Sequence, residues 1–152
     1  MPKLDIHYMP SELDCLPLLD ALRIAPALVI DLGCGDGRVL EWFSQRYACK
    51  VVGYDLDPAR IAESRARLGE SAELHCSDLW QADVSQADVV YTFLDEGLMP
   101  RVQAEIMPRM RQGSYLISNH YPLAGKPYPN HYRQTPDLGT LLAYPISGAS
   151  PT

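Results

Sequence analysis

The stretch VIDLGCGDGR, residues 29–38, is the strongest indicator of the fold in this sequence. The apolar run 28–31 stops at glycines, as a buried parallel strand does. From Arg38 onward apolar residues recur at helical spacing, which predicts an amphipathic helix. Glycines between a strand and a helix allow a tight turn and a close approach of ligand atoms to the backbone. The stretch therefore predicts a strand, a glycine loop built for a ligand, and a helix.

Strands and helices continue to alternate downstream. The turn chemistry of Asp57, Pro58 and Gly69 predicts a helix over 58–68, because these residues suit an N-cap, a first helical position and a C-terminal stop. Alternation of this kind predicts an α/β fold with a doubly wound, mostly parallel sheet. The further predicted elements are strands at 50–55, 72–76, 88–94 and 114–118, and a helix with apolar Leu98, Val102, Ile106 and Met110 that Pro108 kinks or ends.

Four prolines lie between Tyr121 and residue 137, so this region is predicted to be a loop; they are Pro122, Pro127, Pro129 and Pro136. Only residues 141–144 offer one more short strand. The C-terminal strand region is therefore expected to be shortened. The length of 152 residues fits a single domain spanning 1–152.

Composition excludes several classes of protein. With 47% hydrophobic and 21% charged residues the chain matches ordinary soluble domains, so disorder is not indicated. There is no secretory signal and no apolar run of about 20 residues, which predicts a cytoplasmic protein without a membrane segment. The cysteines are far apart and are predicted to be free thiols, with no metal site; they are Cys15, Cys34, Cys49 and Cys76.

The formal net charge of −6 disfavours tight binding to nucleic acid, which usually requires a basic patch. An acidic surface would attract a basic partner such as a lysine-bearing protein. The same acidity would also serve solubility alone.

The glycine spacing indicates the kind of ligand. A dinucleotide-binding loop follows the pattern G-x-G-x-x-G, whereas here the spacing is G-x-G-x-G and Arg38 stands after the last glycine. Asp31, two residues before the first glycine, is expected to approach the cationic end of the ligand. The loop therefore suits a nucleoside with an amino-acid tail better than a pyrophosphate, and nicotinamide-dependent oxidoreduction is disfavoured.

Carboxylates lie at the ends of three successive predicted strands. Asp55 is placed to accept hydrogen bonds from both ribose hydroxyls, and Asp78 is placed to accept the adenine amino group. Each of these residues, like Asp36, could instead be a solvated or turn-forming carboxylate, and Asp57 is mainly a cap. The predicted cofactor contacts are Asp31, Gly33, Cys34, Gly35, Gly37, Asp55, Leu56, Asp78 and Leu79, with the two leucines on the faces of the base.

The motifs DLGCGDGR (31–38) and YDLDP (54–58) resemble those of class I, seven-stranded methyltransferases, and the resemblance covers residues 26–120. Within that class, the segments YMPS (8–11), SDLW (77–80) and SNHYPL (118–123) resemble the small family that includes the ATP-synthase c-subunit lysine methyltransferase and its prokaryotic relatives. The resemblance implies S-adenosylmethionine as cofactor and a protein lysine as methyl acceptor. It also implies that the tyrosine-proline segment near the N-terminus lies over the cofactor cleft.

The acceptor side is less defined. Asp95 and His120 are candidate catalytic residues that could take the proton of a lysine ammonium, and Tyr8 and Tyr121 are candidate substrate contacts. Asp95 could equally belong to a solvated acidic turn, and His120 could be a structural histidine. Two alternative functions stay open, because substrate choice lies in loops: a methyltransferase for a small molecule, and a non-catalytic cofactor-binding module.

Overall fold

The computed structural model describes residues 18–21, 23–123, 125, 131–135 and 139–147. Its strands are β1 Leu28–Leu32, β2 Lys50–Asp55, β3 Ala72–Cys76, β4 Val89–Thr92, β5 Tyr115–Asn119, β6 His131–Thr135 and β7 Gly139–Pro145. Within the described residues they form one seven-stranded sheet in the order β3-β2-β1-β4-β5-β7-β6. The first five strands pair in parallel, whereas β7 is antiparallel to both β5 and β6. The predicted doubly wound, mostly parallel α/β fold is confirmed.

The helices cover both faces of the sheet. They are α1 Leu18–Ala21, α2 Arg38–Tyr47, α3 Pro58–Leu68 and α4 Met99–Arg101. The predicted start of α3 is confirmed, since the side chain of Asp57 accepts a hydrogen bond of 2.9 Å from the amide of Ala59. Two apolar clusters form the core, one containing Leu40 and Phe43 of α2 and the other containing Met99 of α4. No helix of the described residues is long and apolar enough to cross a membrane.

The strand predicted at 88–94 is shorter in the structure, which ends β4 at Thr92. Asp88 lies directly before the strand, and its carboxylate Oδ2 accepts hydrogen bonds from the amides of Ala27 at 2.7 Å and Leu28 at 2.9 Å. It therefore ties the start of β1 to the start of β4. At the other end the chain leaves the sheet, so that residues 93–98 lie at the edge where the parallel strands end.

The helix after β4 changes its hydrogen-bonding pattern along its length. A 3₁₀ turn, Glu96–Leu98, leads into α4, which continues as a π-helical turn, Val102–Ile106, and a 3₁₀ turn, Met107–Arg109. We call residues 96–109 the composite helix. The expected apolar stripe is present except at its first position, because Leu98 is 36% exposed and Met99 is buried in its place. Pro108 lies in the terminal 3₁₀ turn, in agreement with its predicted role in ending the helix.

The expectation of a shortened C-terminal strand region is wrong. β6 lies within the segment predicted to be a loop, and β7, with seven residues, is longer than the short strand expected at 141–144. Pro129 and Pro136 misled the prediction, because both stand outside the bounds of β6 and do not interrupt it. β7 lies between β5 and β6 in the sheet. Its residues Leu141, Leu142 and Ala143 are fully buried, as expected for a strand that is covered on both faces.

Candidate active site

The glycine loop connects the end of β1 to α2 and is anchored to β2. The amides of Gly33 and Cys34 both donate hydrogen bonds to the carbonyl oxygen of Tyr54, at 2.8 and 2.9 Å. Gly33 has φ +90° and Gly37 has φ +86°, a left-handed region that disfavours any residue with a Cβ. A Cβ at Gly37 would also lie 2.9 Å from Oγ of Ser64 on α3. Gly37 therefore permits the close packing of α3 against the loop.

Asp55, the predicted ribose residue, also supports the loop. Its Oδ2 accepts a hydrogen bond from the amide of Gly35, and its Oδ1 accepts one from the amide of Asp57, each at 2.9 Å. A carboxylate oxygen has a second lone pair, so both oxygens can still accept a hydrogen bond from a ligand hydroxyl. The partly exposed Asp55 is thus fixed in place beside the glycine loop.

Asp31 is buried beneath the same loop. Its side chain is only 2% exposed, and Oδ1 has no hydrogen-bond partner among the described residues. Burial, followed by repulsion from Asp55 and Asp36, holds the pKa of Asp31 well above its usual range. A buried carboxyl oxygen without a hydrogen-bond partner destabilises the folded protein unless a donor binds to it. A ligand with an ammonium group would supply such a donor, so the residues fit the amino-acid end predicted from the sequence.

Asp78 begins the 3₁₀ turn Leu79–Gln81, and its Oδ1 accepts a hydrogen bond of 2.9 Å from the amide of Trp80. Leu56, predicted on the other face of the base, is 70% exposed. An exposed leucine at the end of a strand is free to cover an aromatic ring of a ligand. Asp78, Leu79 and Leu56 thus follow β3 and β2 at one edge of the sheet, as predicted.

The residues predicted for the acceptor side follow β4 and β5, which are parallel neighbours and end at the same edge of the sheet. Asp95 is exposed at the start of the composite helix. His120 is exposed, with φ +81°, and its ring contacts that of Tyr121 edge to face with centroids 4.6 Å apart. His120 and Tyr121 are therefore brought together, each following β5. Tyr8 lies outside the described residues.

Three contacts of the site had no counterpart in the sequence interpretation. The fully buried Ser64 donates a hydrogen bond of 2.7 Å from Oγ to the carbonyl oxygen of Gly35. A Cβ built on Gly33 would lie 3.4 Å from Cδ2 of Leu94, so Leu94 covers the loop from the acceptor side. Asn119 donates a hydrogen bond of 2.8 Å from Nδ2 to the hydroxyl of Tyr91 in the interior. Only Leu94 had a usable signal, since it is the last residue of the apolar strand predicted at 88–94.

The described residues contain no group of three or more His, Cys, Asp and Glu side chains that could hold a metal ion. Cys34, Cys49 and Cys76 are free thiols. Burial, together with the nearby carboxylate of Asp31, raises the pKa of the Cys34 thiol above its ordinary range. The Cys34 side chain packs against Gly53, where an added Cβ would lie 2.8 Å from its sulfur.

Residues 31–128 match the family described as the ANTKMT methyltransferase domain. The chain belongs to this family. The match covers the glycine loop, the carboxylates at the ends of β1, β2 and β3, and the residues after β4 and β5. The methyltransferase domain therefore contains every predicted cofactor residue.

Two relatives illustrate the similarity of this methyltransferase domain to characterised proteins. It is 29% identical to an adenine nucleotide translocase lysine N-methyltransferase of Mus musculus, over 70% of this chain and 48% of that protein. It is 30% identical to a protein-lysine N-methyltransferase of Saccharolobus islandicus, over 79% of this chain and 80% of that protein. The chain spans between 48% and 59% of the length of the mouse and Xenopus laevis relatives it matches.

The fold of the methyltransferase domain is also found among solved structures. One is described as an RNA methyltransferase from Salinibacter ruber in complex with S-adenosyl-L-homocysteine, with a TM-score of 0.82. The alignment covers 95% of this chain and 97% of that chain at 20% identity. At this identity the likeness establishes the class I methyltransferase fold.

Proposed function

We propose that the protein is an S-adenosylmethionine-dependent methyltransferase that N-methylates a lysine side chain of a protein partner. The observation that carries the proposal is Asp31, a buried carboxyl with an orphaned oxygen beneath a glycine loop, beside the fixed carboxylate of Asp55. This arrangement suits a ligand with an ammonium group and a ribose. The names of the relatives, which are protein-lysine N-methyltransferases, support a lysine acceptor.

Each part of the cofactor has candidate residues in this chain. Asp31 would hold the ammonium group, Asp55 the ribose hydroxyls and Asp78 the adenine amino group, while Leu56 and Leu79 would cover the base. When bound, S-adenosylmethionine supplies an electrophilic methyl group that a neutral amine can displace in line. The chain then has to hold the amine in line and exclude water. Leu94, which packs on the glycine loop, supports the apolar wall of this space.

The acceptor lysine must lose a proton before it can act as a nucleophile, because an ammonium group has no lone pair. Asp95 and His120 are the candidate proton acceptors, since both are exposed at the edge where β4 and β5 end. Tyr8 and Tyr121 would line the opening for the lysine side chain. Burial of the lysine stem against aromatic side chains would also favour the neutral amine.

Charge supports a protein partner. A net charge of −6 attracts basic surfaces and repels phosphate backbones, so we propose no nucleic-acid substrate. The three described cysteines are free thiols, which suits the reducing cytoplasm that we propose as the site of action.

The test is to incubate the purified protein with methyl-labelled S-adenosylmethionine and a cell lysate, then locate the label by mass spectrometry. We expect methylated lysine in one or a few proteins, and no label with the Asp55→Ala variant. Asp57→Ala is the control, because Asp57 caps α3 and is not a proposed ligand contact. Label in small metabolites alone would replace the protein acceptor with a small molecule. Cofactor binding without any transfer would indicate a non-catalytic module, and label in RNA would overturn the exclusion of nucleic acid.

A further inference from the structure

Arg109, at the end of the composite helix, holds the turn that follows β3. Its Nη2 donates a hydrogen bond of 2.8 Å to the carbonyl oxygen of Trp80, and its Nη1 donates one of 2.6 Å to that of Ala82. A guanidinium group is suited to this task, because its rigid fork of donors can bind two fixed acceptors at once. Two carbonyl groups of residues 78–82, which we call the Asp78 turn, are thus held by one side chain.

Arg101 contacts the same turn from the other end of the composite helix. Its guanidinium carbon lies 4.1 Å from the centroid of the Trp80 ring, in a cation–π contact. Glu105 connects the two arginines, since its Oε2 accepts a hydrogen bond of 2.8 Å from Nε of Arg101 and its carbonyl oxygen accepts one of 2.7 Å from Nε of Arg109. Glu105 lies in the π-helical turn, a rare conformation that is frequent at functional sites.

The Asp78 turn controls the orientation of the carboxylate that begins it. Oδ1 of Asp78 accepts from the amide of Trp80, and the carbonyl oxygen of Asp78 accepts a hydrogen bond of 3.1 Å from the amide of Gln81. A shift of Trp80 would therefore move the carboxylate of Asp78. The side chain of Leu79, proposed on one face of the base, would move with it.

We propose that Arg109, assisted by Arg101, is a positioning residue for adenine recognition: it fixes the Asp78 turn so that the carboxylate meets the 6-amino group of the base. This inference rests on the proposed function, because it assumes that the adenine of S-adenosylmethionine binds beside Asp78. It concerns how the chain distinguishes adenine from other purines. Arg109 does not need to touch the ligand.

The test compares two ligands by calorimetry, S-adenosylhomocysteine and S-inosylhomocysteine, in which a 6-oxo group replaces the 6-amino group. The parent should bind the adenine ligand about 10-fold or more tightly, since a charged acceptor facing a carbonyl oxygen loses a hydrogen bond and gains repulsion. Arg109→Ala should weaken the adenine ligand and reduce this preference to less than about 3-fold. Arg109→Lys should restore part of the preference, because one ammonium group cannot match the fork.

Arg23→Ala is the control variant, because Arg23 is exposed at the opposite edge of the sheet, beside Asp88 and Arg111. It should retain both affinity and preference. A general loss of stability would weaken both ligands equally, so an unchanged preference in Arg109→Ala overturns the inference. If Arg109→Ala does not fold, Arg101→Gln decides instead, with the same criterion of a reduced preference. A parent that binds neither ligand overturns the proposed function itself.

Discussion

At Asp31, the stability of the ligand-free protein and the proposed binding of an ammonium group are opposed. Its pKa is raised well above the ordinary value by burial and by two neighbouring carboxylates. An acid with a raised folded-state pKa contributes its stability below the unfolded pKa of about 3.9, and loses it as the pH rises through the folded value. The ligand-free protein therefore contains a carboxyl group that destabilises it at neutral pH. A bound ammonium group would remove this penalty.

Replacing Asp31 with asparagine should therefore stabilise the ligand-free protein and impair the complex. We expect the free energy of unfolding at pH 7 to rise by about 1 kcal/mol, with the gain vanishing near pH 4. The affinity for S-adenosylhomocysteine should fall about 10-fold or more. Denaturant unfolding across the pH range and calorimetry provide the two measurements.

Asp83→Asn is the matched control for this experiment. Asp83 is exposed, and hydrogen bonds from the side chain and backbone of Ser85 lower its pKa. Its neutralisation should bring no gain in stability and leave ligand affinity unchanged. A ligand-free Asp31→Asn protein that is less stable than the parent, and binds the ligand equally well, would contradict the role assigned to Asp31.

For single residues, the sequence predicted the positions of the carboxylates in the sheet better than it predicted their hydrogen-bond partners. Asp31, Asp55 and Asp78 were predicted because the carboxyl ends of neighbouring parallel strands meet at one edge. That Asp55 holds the amide of Gly35 was not predictable, since the two residues are 20 positions apart and no local pattern connects them. Ser64 gave no signal either, because a serine on a helix face is ordinary until the helix is packed against the loop.

Among the elements, the glycine loop and α3 are coupled through Gly37. An alanine at this position would combine a left-handed φ with a Cβ 2.9 Å from Oγ and 3.1 Å from Cα of Ser64. Gly113 has nearly the same φ, +89°, but an added Cβ there would lie 3.5 Å from Nη1 of Arg111, an ordinary contact distance. The pair therefore separates backbone strain from steric overlap.

We expect Gly113→Ala to lower the free energy of unfolding by about 1–2 kcal/mol, the usual cost of a residue with a side chain at such a positive φ. Gly37→Ala should cost at least about 1 kcal/mol more, because α3 has to move away from the loop. Denaturant unfolding measures both variants. An equal decrease in the free energy of unfolding of both variants would show that α3 can shift without loss of stability. This result would contradict the close packing inferred for Gly37.

The predicted elements were most accurate where local signals and burial agreed. The bounds of β2, β3 and α3 match the predicted ranges, since turn residues flank each of them. β6 was missed because its place in the sheet depends on pairing with β7, and flanking prolines suggested a loop. The changing hydrogen-bond pattern of the composite helix was also not predicted, since its apolar spacing indicates only a helix and gives no signal for a π-helical turn.

For the whole molecule, the net charge of −6 predicts how the protein would meet a basic partner. Long-range attraction accelerates association and is screened by salt, with a Debye length of about 10 Å at 0.1 M and about 3 Å at 1 M. Methyl transfer to the partner should therefore show a kcat/KM that falls as salt increases. Affinity for S-adenosylhomocysteine should change little, because that ligand carries no net charge at neutral pH.

Steady-state kinetics over a range of potassium chloride concentrations, with ligand calorimetry in parallel, would check this expectation. A kcat/KM that is independent of salt would mean that contact surfaces, and not the overall charge, determine how the partner is bound.

The position of β7 between β5 and β6 has a consequence for synthesis on the ribosome. β5 pairs with β4, which emerges before it, but its other edge remains open until residues 139–145 leave the exit tunnel. During that interval the nascent chain exposes unpaired backbone groups of a strand whose Leu116 and Ile117 are fully buried in the finished protein. An open apolar edge of this kind readily pairs with other chains. β7, which is translated after β5 and β6, thus closes the edge at which neighbouring nascent chains could join.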